Sequence, residues 1–97
     1  MSLKNDYPRL FQFFGGYFPD ADFDGITDQE VVNNYIIEFS KSEKFKLELE
    51  QLKKELITLM SNIEPYWQEV SQDANRYFRS PADTLEWLDM IKGELYK

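Results

Sequence analysis

The chain has 97 residues and a formal charge of −7, because 18 acidic side chains outnumber 11 basic ones. It contains no histidine and no cysteine, which excludes thiol nucleophiles, Ser-His-Asp triads, disulfide frameworks and metal sites built from His or Cys ligands. Hydrophobic residues make up 42% of the chain and aromatic residues 16%, too much for a disordered acidic chain. The length predicts one domain spanning residues 1–97.

The hydropathy of the chain predicts a protein without a membrane span. No stretch approaches the roughly 18 consecutive apolar residues that a span requires, and the first residues run straight into charge without a secretory apolar segment. We therefore expect a cytoplasmic protein that makes no contact with membrane. The net acidity disfavours direct binding to nucleic acid, whose phosphates need basic partners, and favours a basic protein partner.

The first predicted helix covers Tyr7–Phe18 and is rich in aromatic residues. Pro8 suits a first helical position, with the cap at residue 5 or 6. Gly15-Gly16 weakens this helix by about 1 kcal/mol per glycine relative to alanine. The pair therefore predicts either close packing of another element or an early helix end. A turn-rich loop is predicted over residues 19–25.

Two capping patterns predict the next two helices. Thr27 and Glu30 form a capping box at the start of the second, and residues 40–43 repeat the pattern before the third and longest. Apolar residues in the third helix recur at steps of four and three, which predicts a face buried in a bundle core. They are Phe45, Leu49, Leu52, Leu56, Leu59 and Ile63. The opposite face, which includes Glu55, is predicted to be solvated.

The last third of the chain predicts two more helices. Pro65 marks a boundary, because the residue before proline is pushed out of helical geometry. A fourth helix is predicted from Glu64 to Phe78, with Trp67 facing the core and Tyr66 exposed. Ser80-Pro81 begins the last helix, and Asp83–Glu86 offers a second possible start one turn later. No segment shows the alternation of a strand. The sequence therefore predicts an all-α, single-domain bundle of about five helices.

One motif resembles a calcium site. The segment Asp20–Gly25 copies the opening of an EF-hand loop, with acids at positions one, three and five and glycine at six. The match then fails, since position twelve requires a bidentate glutamate and Val31 stands there. The other interpretations are a solvated acidic turn and an acidic lip that meets a basic protein. Because the carboxylates come without any other catalytic signature, we expect no enzymatic activity, no metal and no cofactor.

The acidic residues concentrate in two segments. Residues 1–37 and residues 61–91 each contain six acids and two bases, whereas residues 38–60 contain five of each. The two outer segments would form one negative face if they adjoin in space. The alternative is an acidic surface that merely aids solubility.

The N-terminal block resembles a known family. Residues 7–18 read Tyr-Pro-Arg-Leu-Phe-Gln-Phe-Phe-Gly-Gly-Tyr-Phe. They resemble the opening of small immunity proteins of bacterial contact-dependent growth inhibition systems, typically Tyr-Pro-x-Leu-x-Gln-Phe-x-Gly-x-Tyr-Phe. Residues 28–32 and residues 86–91 are also similar, so the resemblance extends from Tyr7 to about Leu95. The chain departs from the family at residues 19–23, where Pro-Asp-Ala-Asp-Phe replaces a His-Gln-Asp-Trp-like run.

The resemblance implies a protein that binds the C-terminal toxin domain of a delivered effector in the cytoplasm and blocks it. Many such toxins are nucleases with basic substrate grooves, which an acidic protein can cover. We therefore expect an immunity protein, monomeric when free, that neutralises a basic toxin domain through two acidic patches. The predicted toxin-binding residues are Asp20, Asp22, Asp24 and Asp28 in the acidic loop, and Glu64, Tyr66, Glu69 and Asp73 in a second patch.

Two other classes stay open at this point. The first is a non-enzymatic helical adaptor or regulatory protein that self-associates through the row from Phe45 to Ile63. The second is a calcium-binding domain that uses the loop from Asp20 to Glu30.

Overall fold

The computed structural model describes residues 2–97, which form six α-helices and no strand. The helices are α1 (Leu3–Asp6), α2 (Pro8–Asp24), α3 (Asp28–Phe39), α4 (Glu43–Ser61), α5 (Trp67–Ala74) and α6 (Pro81–Leu95). The all-α prediction is confirmed for this part of the chain, and the predicted count of about five missed only the short α1. Within the same residues, no helix is both long enough and apolar enough to cross a membrane.

Side-chain hydroxyls cap three helix starts; the box at Thr27 is as predicted, whereas α4 is capped by Ser42 and the predicted Ser40 lies at the end of α3. The Thr27 hydroxyl accepts from the Glu30 amide at 3.2 Å, and the Glu30 carboxylate accepts from the Thr27 amide at 3.0 Å. Ser42 and Ser80 each accept the amide three residues further on, at the starts of α4 and α6. These side chains satisfy amides that have no partner within the helix.

The predicted loop after the first helix was wrong, because α2 continues through Pro19. A proline inside a helix removes the hydrogen bond to the carbonyl four residues earlier, which here belongs to Gly15. The helix persists because Phe18 and Ala21, on either side of the proline, are both buried in the core. It ends instead at Gly25, whose left-handed backbone (φ 73°) lets its amide donate to the Ala21 carbonyl at 2.9 Å.

The predicted fourth helix, Glu64–Phe78, is helical only over α5, and the predicted exposure of Tyr66 was wrong. Tyr66 is buried, with 6% of its surface exposed, and its hydroxyl donates to Asp6 at 2.7 Å. Trp67 is only partly buried against the core. The helix stops early because Asn75 adopts a left-handed conformation (φ 55°), which asparagine tolerates better than most residues.

The aromatic helix α2 lies at the centre of the bundle and contacts α1, α3, α4 and α5. Its rings pack against aromatic residues of two other helices. Phe13 lies 4.6 Å from Tyr35 of α3 and Phe18 lies 4.9 Å from Trp87 of α6, measured between ring centroids. The radius of gyration is 12.6 Å, about what a compact chain of this length has.

The apolar row of α4 forms the other large part of the core, as predicted. Its leucines from Leu49 to Leu59 are buried, as is Ile63 just beyond the helix end, and Phe45 alone remains partly exposed at 38%. Self-association through this row would therefore require the bundle to open.

The start of α2 is capped from α4 by a residue that was predicted to be solvated. Glu55 is only 6% exposed, and its Oε1 accepts the amides of Arg9 and Leu10 at 3.0 and 3.2 Å. Tyr7, at the N-cap position, offers no side-chain hydrogen bond. A carboxylate is stabilised at a helix N-terminus by the free amides and the positive end of the helix dipole. Glu55 therefore ties α4 to the first turn of α2.

Candidate partner-binding site

The two acidic segments adjoin, because α5 runs beside α2 in the same direction. At one end Tyr66 meets Tyr7 edge to face, with ring centroids 5.1 Å apart. At the other end Asn75 donates to Asp22 at 3.2 Å. At about 1.5 Å per residue, Tyr7 and Asp22 are separated by roughly 22 Å along α2. The eight predicted contact residues therefore fall into two groups near opposite ends of this helix, with Asp73 between them.

The group near Tyr7 is mostly engaged within the protein. Glu69 accepts the amide of Leu3 at 2.8 Å and so anchors α1. Tyr66 is buried and bonded to Asp6, a contact that raises the pKa of its hydroxyl to about 12. Glu64 alone in this group is exposed. These side chains hold the fold together more than they present a surface.

Asp73 lies between the two groups, against the central helix. A Cβ added at Gly15 would approach its Oδ1 to 2.6 Å, and its buried Oδ2 has no hydrogen-bond partner among the described residues. Desolvation, followed by the charge of Glu69, raises the pKa of Asp73 from its ordinary value of 3.8 to about 6. The close packing predicted for the glycine pair is thus found at its first member.

Asp22 and Asp28 share one arginine. Arg76 Nη1 lies 2.8 Å from Asp22 and Nη2 lies 2.6 Å from Asp28, and only 17% of the arginine side chain is exposed. The Trp87 indole N–H also donates to Asp28 at 2.7 Å. Burial disfavours the charged form of Asp28, but the bonds from Arg76 and Trp87 outweigh it and lower its pKa. This network joins α2, α3, α6 and the chain after α5, so both carboxylates are already neutralised in part.

Near the C-terminal end of α2, the carboxylates of Asp20 and Asp24 remain unpaired. Both are exposed, and neither carboxylate forms a hydrogen bond or ion pair with any residue from 2 to 97. They stand four residues apart and therefore share one face of α2, whereas Asp22 points to another side, toward Arg76. Because the segment is helical, its acids do not encircle a common point as an EF-hand loop requires. In the described part of the chain, no group of three His, Cys, Asp or Glu is placed to hold a metal.

A groove between α2 and α3 opens beside these two carboxylates. It has a volume of about 240 Å³, and its lining residues are Gly16, Tyr17, Asp20, Ala21, Asp24, Ile26, Val31 and Asn34. An added Cβ at Gly16 would meet no atom within 4 Å. The two glycines therefore differ: Gly15 is packed against Asp73 of α5, whereas Gly16 borders the open groove.

Two exposed aromatic side chains complete this end of the molecule. Phe23 and Tyr77 are 94% and 84% exposed, more than any other aromatic residue from 2 to 97. They follow Asp22 and Arg76 in sequence, and the side chains of that pair touch at 2.8 Å. Each of the two aromatic residues thus follows one member of this ion pair along the chain. Phe23 also lies on the stripe of Asp20 and Asp24, at helical spacing of three.

We call Asp20, Phe23, Asp24 and Tyr77, with the adjoining groove, the acidic–aromatic surface. The sequence prediction included its two aspartates but missed both aromatic residues. Phe23 was read as part of a loop, and Tyr77 as part of the fourth helix. The sequence does hint at the exposure of Phe23, because it lies between Asp22 and Asp24 and charged residues are seldom buried.

Comparisons with protein families, with curated proteins and with solved structures find no match to this chain.

Proposed function

We propose that this chain is an immunity protein that binds a basic toxin domain, of the nuclease type, and blocks it without any catalysis of its own. The observation that carries the proposal is the acidic–aromatic surface, where unpaired carboxylates stand beside exposed aromatic rings. The resemblance of residues 7–18 to immunity proteins of contact-dependent growth inhibition systems supports the same function.

The aromatic residues supply the affinity in this proposal. Phenylalanine and tyrosine are enriched at the buried centres of interfaces, and tyrosine is common among the few residues that dominate binding energy. Burying one such side chain stabilises a complex by about 1.5–3 kcal/mol. Phe23 and Tyr77 are almost wholly exposed in the free protein, so a partner could bury both.

The carboxylates supply steering and specificity. Asp20 and Asp24 have no basic neighbour bonded to them, and the whole chain carries −7. A negative surface accelerates encounter with a basic partner and disfavours other acidic proteins. A nuclease groove that binds phosphate is such a partner, and an acidic protein lying across it would exclude the substrate sterically.

Co-expression with the toxin domain encoded beside this chain tests the function. The wild-type chain is expected to restore growth and to co-purify with the toxin. Absence of both a complex and growth rescue would reject the proposal.

A pair of aromatic substitutions tests the surface. Phe23→Ala with Tyr77→Ala is expected to weaken toxin binding at least about a hundredfold, since two anchors of roughly 1.5 kcal/mol or more are lost. The matched control is Ile37→Ala with Leu47→Ala, which removes apolar side chains that are 62% and 71% exposed on α3 and α4. Equal losses in the two double variants, measured by calorimetry, would exclude this surface while leaving the function standing.

A further inference from the structure

The groove between α2 and α3 is small compared with typical small-molecule sites. Its volume of about 240 Å³ lies below the roughly 300–1,000 Å³ of typical small-molecule pockets. Its inner lining is largely apolar, with Ala21, Ile26 and Val31 contributing, and its rim carries two carboxylates. This combination suits one long side chain that is apolar along its stem and positive at its tip.

An open glycine in the groove has no explanation within the fold. Gly16 lies inside a helix, where glycine costs about 1 kcal/mol relative to alanine. Its backbone is not in the left-handed region, and an added Cβ would meet no atom within 4 Å. Gly93, the other open helical glycine, falls in the last turn of α6, where a helix frays and this cost is smaller. A requirement for free space beside the helix accounts for Gly16.

The rim favours arginine over lysine. Asp20 and Asp24 are one helical turn apart, about 5–6 Å between Cβ atoms, and a planar guanidinium can donate to two carboxylates at once. Tyr17 also lines the groove, and its hydroxyl is bonded to Glu38 at 3.4 Å. A tyrosine face attracts a guanidinium laid over it.

We propose that this groove is the recognition pocket for a single arginine side chain of the toxin domain, held by Asp20 and Asp24. The inference rests on the function proposed above and names the group that the pocket recognises. The arginine stem lies on Ile26 and Val31, and its guanidinium bridges the two carboxylates at the rim.

A probe that does not depend on the toxin tests the pocket directly. In an NMR titration, N-acetyl-arginine amide is expected to bind with a dissociation constant on the order of 1 mM, equivalent to about 4 kcal/mol. It should shift the amide signals of Gly16, Asp24 and Asn34. The uncharged citrulline analogue should bind at least about tenfold more weakly. Shifts confined to other residues, or none, would overturn the proposal.

A variant with a filled groove can be compared with a matched control. Gly16→Leu fills the groove with a helix-favouring residue and should abolish the arginine shifts without lowering the melting temperature. Gly93→Leu makes the same change on α6 and should leave them intact. Asp20→Asn with Asp24→Asn leaves the space open and removes the charge, and should weaken the probe at least about tenfold. Retention of arginine binding in both groove variants would refute the pocket.

The same variants separate this inference from the proposed function. If wild-type protein binds the arginine probe at the groove but captures no toxin domain, the function fails and the pocket stands. If toxin capture and growth rescue are intact and Gly16→Leu binds toxin as tightly as Gly93→Leu does, the pocket is wrong and the function stands. The proposal predicts that Gly16→Leu weakens toxin binding at least about tenfold.

Discussion

Adjacent residues on α2 serve opposite purposes, although the sequence repeats the same amino acid. Gly15 admits Asp73 of α5 to a distance that a Cβ would forbid, whereas Gly16 faces an empty groove. In the same way Asp22 is held by Arg76, while Asp20 and Asp24 remain unpaired. Neighbouring residues of a helix point about 100° apart, so identical residues can meet different surroundings.

The glycine pair predicts unequal effects of the same substitution. Gly16→Ala should raise the free energy of unfolding by about 0.5–1 kcal/mol, because alanine is the better helix former and nothing obstructs its Cβ. Gly15→Ala should raise the free energy of unfolding clearly less, since the added Cβ would displace the Asp73 carboxylate. Urea denaturation measures both values. Equal stabilisation by the two substitutions would contradict close packing of Asp73 on Gly15. So would a difference between them that persists when Asp73 is replaced by alanine.

Asp73 predicts a pH dependence of stability. Its folded pKa, about 6, lies above its ordinary value of 3.8, so the folded state binds more protons between these values and loses stability as pH rises through them. Asp73→Asn removes this loss and should be about 1 kcal/mol more stable at pH 7, after allowance for solvent screening of a half-exposed group. The difference should vanish below about pH 4. A difference that stays constant from pH 4 to pH 8 in urea titrations would contradict it.

At the scale of elements, local chemistry predicted helix starts well and helix ends poorly. Thr27, Ser42 and Ser80 cap through contacts within four residues. The sequence therefore identified Thr27 and offered Ser80 as one of two starts, and it placed the α4 cap only two residues early, at Ser40. The continuation of α2 through Pro19 depends on burial against distant helices, which no local pattern records. Glu55 was wrongly predicted to be solvated for the same reason, since it caps a helix 45 residues away in sequence.

Pro19 predicts a stabilising substitution. Pro19→Ala restores an amide that can donate to the Gly15 carbonyl inside α2, and should raise the free energy of unfolding by about 1–2 kcal/mol. Pro81 is the matched control, because at the first turn of α6 its missing amide has no partner to lose. Pro81→Ala should be neutral or destabilising in the same thermal melts. Stabilisation by both changes, or by neither, would argue against a continuous α2.

Glu55 predicts a large loss on truncation. Glu55→Ala leaves the Arg9 and Leu10 amides without their acceptor and opens a space beside the core, so the free energy of unfolding should fall by about 2–3 kcal/mol. Glu55→Gln keeps an acceptor oxygen and should lose about half as much. Chemical denaturation of the two variants provides the measurement. A loss below 0.5 kcal/mol for alanine would show that the cap is dispensable.

At the scale of the whole molecule, the distribution of charge matters more than its total. The sequence predicted an acidic contact region, and its two segments do adjoin along α2 and α5. In the fold, Asp22, Asp28, Tyr66 and Glu69 are bonded to other residues of the chain. The unpaired acidic surface is therefore smaller and lies at one end of the molecule. That division depends on which side chains meet Arg76, Asp6 and Leu3, and spacing along the chain does not reveal it.

The central claim is that this end of the molecule receives a basic toxin domain, and its association rate with that domain is the most direct test. Asp20→Asn with Asp24→Asn should slow association about tenfold at low salt and flatten its salt dependence. Glu43→Gln with Glu50→Gln changes the net charge equally on the neutral α4, where both acids are exposed, and should slow it less than about twofold. Equal slowing by the two double variants would contradict a localised surface, and the absence of any measurable association would contradict the function itself.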